Sequence, residues 1–203
     1  IGLQSKEAPS TRLSLVPDQF IRPAPIPDAI QDVIEQIIEN DFAPSAIVDF
    51  LFRKQPQFSD GPKSPIVESD LSGNAFINSI ISAATQLDGS YLCIQGPPGA
   101  GKTYTARHII GDLIAKGKRI GISSNSHKAI INLMDGVADH LLEKDIEGQL
   151  IKVGGDAEDP IFDKQNVNFR KDAKACGNEF NSSALCIGGT AWLFCNALLT
   201  EEQ

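Results

Sequence analysis

The chain has 203 residues, enough for one large domain or for one domain with a substantial extension. Apolar residues make up 41% and charged residues 22%, the balance of a soluble globular protein, and no apolar run approaches the length of a membrane span. The formal net charge of −8 excludes a generally basic, nucleic-acid-coating surface.

Charge distribution says more than the sum. Residues 100–128 carry Lys102, Arg107, Lys116, Lys118, Arg119 and Lys128 against Asp112 alone. The sequence begins at Ile1 and its single methionine is Met134, so we read it as a fragment or a processed chain with no signal-like start. Cys93, Cys176, Cys186 and Cys195 form no C-x-x-C pair, and His108, His127 and His140 show no ligand spacing. Zinc is therefore not expected, and reduced thiols in the cytoplasm are.

Residues 1–27, rich in Pro, Ser and Gln, read as a linker or extended arm, with Leu13–Val16 a short strand candidate. Residues 28–66 read as a small helical segment. Asp28 caps a helix whose stripe is Ile30, Val33, Ile34, Ile37 and Ile38, ending near Asn40. A second helix follows Pro44 and Ser45, with Ile47, Val48, Leu51 and Phe52 apolar. The pair is expected to pack on the domain that follows; a partner-docking surface is the alternative. Pro56, Gly61, Pro62 and Pro65 mark a boundary.

Residues 67–203 read as one α/β unit. A helix over 72–87 buries Phe76, Ile77, Ile80, Ile81 and Ala84, and Asp88-Gly89 turns into Tyr91–Gln95, expected as a fully buried central strand containing Cys93. Gly96-Pro97-Pro98-Gly99-Ala100-Gly101-Lys102-Thr103 then fits the phosphate-loop pattern G-x-x-x-x-G-K-[ST] without substitution. Backbone N–H groups at a helix start suit a polyphosphate, and glycines at 99 and 101 let the backbone curl around it. Lys102 places a cation by the β- and γ-phosphates, the Thr103 hydroxyl is a natural Mg²⁺ ligand, and Tyr104 completes the candidate nucleotide contacts. The helix after the loop places Ala106, Ile109, Ile110, Leu113 and Ile114 on one face, carries His108, and ends at Gly117.

Arg119–Ser123 is the second strand, Ser124-Asn125-Ser126 a polar loop, and His127–Glu143 a helix with Ile130, Leu133, Met134, Val137 and Leu141 in register. Leu150–Val153 is a third strand, residues 156–182 a long aperiodic loop, Ala184–Ile187 a fourth strand, and Gly188-Gly189-Thr190 opens a last helix. Alternating strands and helices predict a parallel sheet with helices on both faces and ligands at the carboxyl ends of its strands.

The segments IQGPPGAGKTYTA, GISSNSHKAIINLM and IGGTAWLF resemble the first, Ia and Ib-type motifs of superfamily 1 helicases, over about residues 72–200. Within that superfamily the chain most resembles the branch of the nonsense-mediated-decay helicase and of bacterial helicases fused to RecB-like nucleases. The resemblance implies an incomplete RecA-like P-loop NTPase domain that uses ATP and Mg²⁺ to move along single-stranded nucleic acid, DNA more than RNA, and leaves open whether a nuclease domain stands upstream in the intact protein. It assigns strand contact to Ser124, Asn125, Ser126 and Thr190, whose small polar side chains hydrogen-bond a nucleic-acid backbone without reading bases. Capping of the helix from His127 is the other use that chemistry permits for the serines.

Two departures stand out. The family's adenine-reading Gln is replaced by Asn74 and Asn78 near its expected place, with Gln86 too late, which leaves base selectivity open. The acidic metal motif is absent: Glu201-Glu202 does not end an apolar strand, and the chain stops before the family places that motif. The expectation is weak nucleotide binding without efficient turnover in this chain, and an ATPase in the intact protein. Another P-loop ATPase, such as an AAA-type remodeller acting on protein, and a nucleotide-binding interaction module are the alternative readings.

Overall fold

The structure is a computed structural model that describes residues 23–68, 70–182 and 185–196. The candidate strand at 13–16, the Glu201-Glu202 pair and most of the extended arm lie outside the described residues.

Four parallel strands form the sheet: β1 (Ile120–Ser123), β2 (Gln149–Val153), β3 (Val167–Arg170) and β4 (Leu185–Gly189), in the order β1-β4-β2-β3. Among the described residues, six α-helices accompany them: α1 (Ile26–Glu39), α2 (Ala46–Leu51), α3 (Gly73–Thr85), α4 (Lys102–Ala115), α5 (His127–Glu143) and α6 (Ala191–Phe194). Strand alternation divides the core. Leu150 and Cys186 face α4 and α5, joining Ile110, Ile114, Ile130, Met134, Val137 and Leu141. Ile151, Val153, Leu185 and Ile187 face the other way, against Leu193 of α6 and a 3₁₀ segment, Ala173–Asn181, that supplies Ala173 and Cys176. Both faces are thus covered, as expected for an α/β parallel sheet, and the bounds of α5 are those read from the sequence.

Two glycines set how closely the layers approach. A Cβ at Gly188 would fall 2.3 Å from the Met134 Sδ and 2.7 Å from the Ile130 Cγ2, so α5 lies directly on the β4 backbone there. On the opposite face, a Cβ at Gly189 would fall 2.3 Å from the Leu193 Cδ2. Helices α4 and α5 cross just as closely. A Cβ at Gly111 would overlap the His140 ring at 2.5 Å, and one at Gly136 would touch the Arg107 Cδ at 3.5 Å. The spacing between residues in the two contacts is the same in sequence, so α4 and α5 run parallel and present their N-termini to the same edge.

Several expectations are corrected. Tyr91–Gln95 pairs with no strand among the described residues, and Cys93, Ile94 and Gln95 are exposed. A strand is held by its ladder, and neither side of this stretch has one; β1 pairs with β4 alone. The helix read from Asp28 starts earlier, at Ile26, with Pro25 at its N-cap and Asp28 in its first turn. No residue of α1 is buried: Ile30, Val33, Ile34 and Ile38 are exposed, the last at 60%, so only the second helix of the pair packs on the rest. There Val48 and Asp49 are buried, Asp49 accepts from the Ser90 hydroxyl at 2.9 Å, and Phe50 meets the Tyr91 ring edge-on. In α3 the buried residues are Ile80 and Ala83, while Phe76 is exposed.

The stretch 156–182, expected to be aperiodic, holds β3 and two 3₁₀ segments. Strand β3 is four residues long, too short for alternation to stand out, and it is anchored by Val167 in the core and the Phe162–Phe169 ring contact at 5.3 Å. Arg170 closes it with a two-pronged ion pair to Glu179.

The glycine contacts give a direct test. Gly188→Ala should destabilise the fold by about 1–3 kcal/mol, the usual cost of forcing atoms into a packed core. Urea unfolding should show a lower midpoint with an unchanged slope.

Candidate functional site

The phosphate loop leaves Gly96, turns through Pro97–Ala100 with the Ala100 N–H donating to the Pro97 carbonyl at 3.2 Å, and enters α4 at Lys102. Gly99 and Gly101 have φ of +80° and +76°, the left-handed region that side chains disfavour. A Cβ at either would meet nothing within 4 Å, so their need for glycine is conformational and the space before the helix is open. Gly96 is different: a Cβ there would stand 3.0 Å from the Ala100 Cβ. The first-turn N–H groups of α4 point into this open space without intrahelical acceptors. The Lys102 ammonium curls back over the loop and donates to the Gly96 carbonyl at 2.6 Å and the Pro97 carbonyl at 2.8 Å.

These features fit a polyphosphate. Lys102 would supply the cation, the first-turn amides of α4 would supply donors, and the exposed Thr103 hydroxyl could hold Mg²⁺. Tyr104 begins a stack along the α4–α5 seam. The Arg107 guanidinium lies 4.6 Å from its ring centre, His108 packs at 4.4 Å, and His140 packs on His108 at 4.4 Å. The His108 Nδ1–H donates to the Tyr104 carbonyl at 2.7 Å. Burial, and then the neighbouring His108 and Arg107, lower the pKa of His140 and keep it neutral.

Asn74 and Asn78, which stand near the place of the family's adenine-reading Gln, line a cavity of about 390 Å³ with His108, Asp112 and His140. Its α4 wall at Asp112 lies about 15 Å along the helix from Lys102. Gln86 is engaged elsewhere, accepting from Lys63.

The candidate strand-contacting residues come together at the carboxyl edge. Ser123 and Gly189 are register partners in β1 and β4, so Ser124 and Thr190 leave the sheet side by side. Ser124 Oγ accepts from the Ser126 N–H at 3.3 Å, and Ser126 Oγ accepts from the Ala129 N–H at 3.4 Å, capping α5. Both serines thus use a lone pair locally and keep their O–H donors available. Asn125 is exposed, and the Thr190 side chain makes no cap to α6.

Sequence reasoning missed Lys152. It stands within the apolar run Leu150–Val153 and is fully buried, its Nζ 2.9 Å from the His127 Nδ1, 2.8 Å from the Val153 carbonyl and 2.7 Å from the Gly154 carbonyl. A charge inside a strand buried on both faces was the available signal. Burial pulls its pKa down to about 8, against a smaller opposing pull from Asp159. His127 is lowered by burial and then by Lys152, so at neutral pH the ring is neutral and its Nδ1 accepts. Two cysteines of the core are correspondingly inert: burial raises Cys186 to about 12, and burial with Glu179 nearby raises Cys176 to about 11.

A parallel α/β sheet with a phosphate loop opening a helix at its ligand-binding edge defines a P-loop ATPase, and the comparisons with known proteins agree. A family model described as "AAA domain" matches residues 74–182, more than half of the chain, and the chain belongs to that family, as a superfamily 1 helicase-type ATPase core. It is also 30% identical over 100 residues to the DNA replication ATP-dependent helicase/nuclease DNA2 of Saccharomyces cerevisiae. That match spans 47% of this chain and 6% of the yeast protein. No solved structure matches the chain significantly. No helix among the described residues is long and apolar enough to cross a membrane.

The Lys152 environment makes a pH prediction. Its folded pKa lies below that of an unfolded lysine, so between pH 8 and 10 the unfolded chain binds the extra proton and stability contributed here rises with pH. Lys152→Met should remove that rise. The wild-type minus Met difference in unfolding free energy should change by on the order of 2 kcal/mol across that window, with the thiol and tyrosine titrations cancelling between the two proteins.

Proposed function

We propose that this chain is the ATP-holding part of a motor that couples ATP hydrolysis to movement along single-stranded nucleic acid, DNA in preference to RNA. The observation that carries the reading is one of placement. The phosphate loop opens α4 and Ser124–Ser126 opens α5, two parallel helices in close contact, and Ser124 and Thr190 leave adjacent strand ends. In this reading Gly96 to Tyr104 hold the polyphosphate, Lys102 neutralises charge at the β- and γ-phosphates, and Thr103 holds Mg²⁺, which stabilises the charge that develops in phosphoryl transfer. Ser124, Asn125, Ser126 and Thr190 donate to the strand's phosphates and sugars.

The yeast relative's name, a DNA replication helicase/nuclease, supports DNA as the polymer and a nuclease domain elsewhere in the intact protein. The free cysteines suit a reducing compartment such as the cytoplasm.

Lys102→Ala should lower the affinity for a fluorescent ATP analogue more than tenfold in this chain. In the complete protein, ATP turnover should be strongly stimulated by single-stranded DNA, and the same substitution should abolish it. Turnover indifferent to both DNA and RNA would sink the motor reading and direct the search to a protein partner.

A further inference from the structure

Lys152 and His127 meet where three chain segments converge. Strand β2 carries Lys152 on the face it shares with Leu150, towards α5, and ends one residue later at Val153. The chain then turns through Gly154 and Gly155, with φ of +67° and +89°. His127 is the first residue of α5 and directly follows the Ser124–Ser126 loop. Lys152 is also the register partner of Gly188, two residues before Thr190.

The ammonium has three protons and three acceptors: the His127 Nδ1, the Val153 carbonyl and the Gly154 carbonyl. Each proton is used, which is the condition under which a charge can be kept out of water. No carboxylate among the described residues bonds it; Asp159, beyond the glycine turn, acts on it only through space. With Nδ1 accepting, the proton of the neutral ring sits on Nε2, so the ammonium sets both the tautomer and the orientation of His127. The glycine turn wraps the same ring closely. A Cβ at Gly155 would stand 3.1 Å from the His127 Nδ1, and one at Gly154 would stand 3.5 Å from its Cε1. Filling this site with an apolar side chain would satisfy packing alone. A lysine adds a bond from the end of β2 to the first residue of α5.

We propose that Lys152 and His127 form a clamp that positions the Ser124–Ser126 loop for strand binding, with Lys152 and His127 as positioning residues. The ammonium ties the start of α5 to the end of β2, beside β4, so the hydroxyls of Ser124 and Ser126 and the side chain of Thr190 are held in one fixed arrangement. The charge also places a positive potential beneath the surface where strand phosphates lie. The inference rests on the strand-binding reading above and goes beyond it in naming what shapes the contact loop.

Two readouts on the 203-residue chain test it together. The first is the nitrogen NMR signature of the His127 tautomer at pH 7. The second is the affinity for fluorescein-labelled oligo(dT) and oligo(U) by anisotropy, with an ATP analogue titrated in parallel. The wild type should show an accepting, unprotonated Nδ1. Lys152→Met and His127→Leu should each weaken oligonucleotide binding at least tenfold and leave analogue affinity within twofold. His127→Asn, whose side-chain oxygen can accept in place of Nδ1, should recover most of the binding. Oligonucleotide affinities within twofold of wild type in both Lys152→Met and His127→Leu would overturn the clamp's role, as would a protonated Nδ1 in the wild type. A wild type that shows the accepting Nδ1 but binds neither oligonucleotide would instead overturn the strand-binding reading, and the purpose assigned to the clamp with it.

Discussion

Everything at the functional edge depends on how α5 is seated. Ile130, Met134, Val137 and Leu141 are almost completely buried between the sheet and α4, each side chain contributing about 1.5–3 kcal/mol of apolar burial. The seat exists because β4 reads Gly188-Gly189, with successive residues facing opposite ways. Gly188 lets α5 down onto the sheet from one side, and Gly189 lets Leu193 of α6 in from the other. The strand is thinned on both faces at its carboxyl end. From that seat α5 holds Ser124–Ser126 at its N-terminus and presents Gly136 and His140 to α4, which carries the phosphate loop.

The electrostatics of the edge explain how an acidic chain can serve a polyanion. Net charge acts over distances that salt screens beyond about 8–10 Å, whereas the groups at this edge act at contact. Backbone amides of the α4 start, the Lys102 ammonium and small hydroxyls supply donors without requiring a basic surface. Two of the nearby cations bond groups of the chain itself. Lys102 closes the phosphate loop on its own carbonyls, and Lys152 ties strand to helix. Lys116, by contrast, pairs with Asp112 at 2.6 Å near the far end of α4, where it is an ordinary exposed i,i+4 partner.

Much of this was legible in the sequence because it is written in local patterns. The phosphate loop is a contiguous string, α5 has an uninterrupted apolar stripe with a serine cap, and the glycine pair of β4 precedes a helix. The failures have different physical causes. Tyr91–Gln95 has the composition of a buried strand, but composition carries no information about the neighbour that must supply the ladder, and among the described residues there is none. The stripe of α1 is as regular as that of α5 and yet lies exposed, because periodicity identifies an apolar face without identifying what covers it. Strand β3 was too short to show alternation. Lys152 was read as one residue of an apolar strand, since its importance comes from His127, 25 residues earlier in the chain and adjacent only after folding.

The phosphate loop and the strand loop belong to one mechanical unit. Helices α4 and α5 run parallel and touch where Gly111 meets the His140 ring and Gly136 meets the Arg107 side chain, so their two N-termini are held in a fixed relation. On the nucleotide side the loop is held in a ring by Lys102 bonded to the Gly96 and Pro97 carbonyls. A bound phosphate competes for those same protons and exchanges one set of charge-assisted hydrogen bonds for another. On the strand side, Ser126 caps α5 and also offers its O–H outward, so any pull on that hydroxyl acts on the first turn of the same helix. In the proposed function, the arrangement would join the two ligands through the ends of two packed helices and would not require a chain of side chains across the domain.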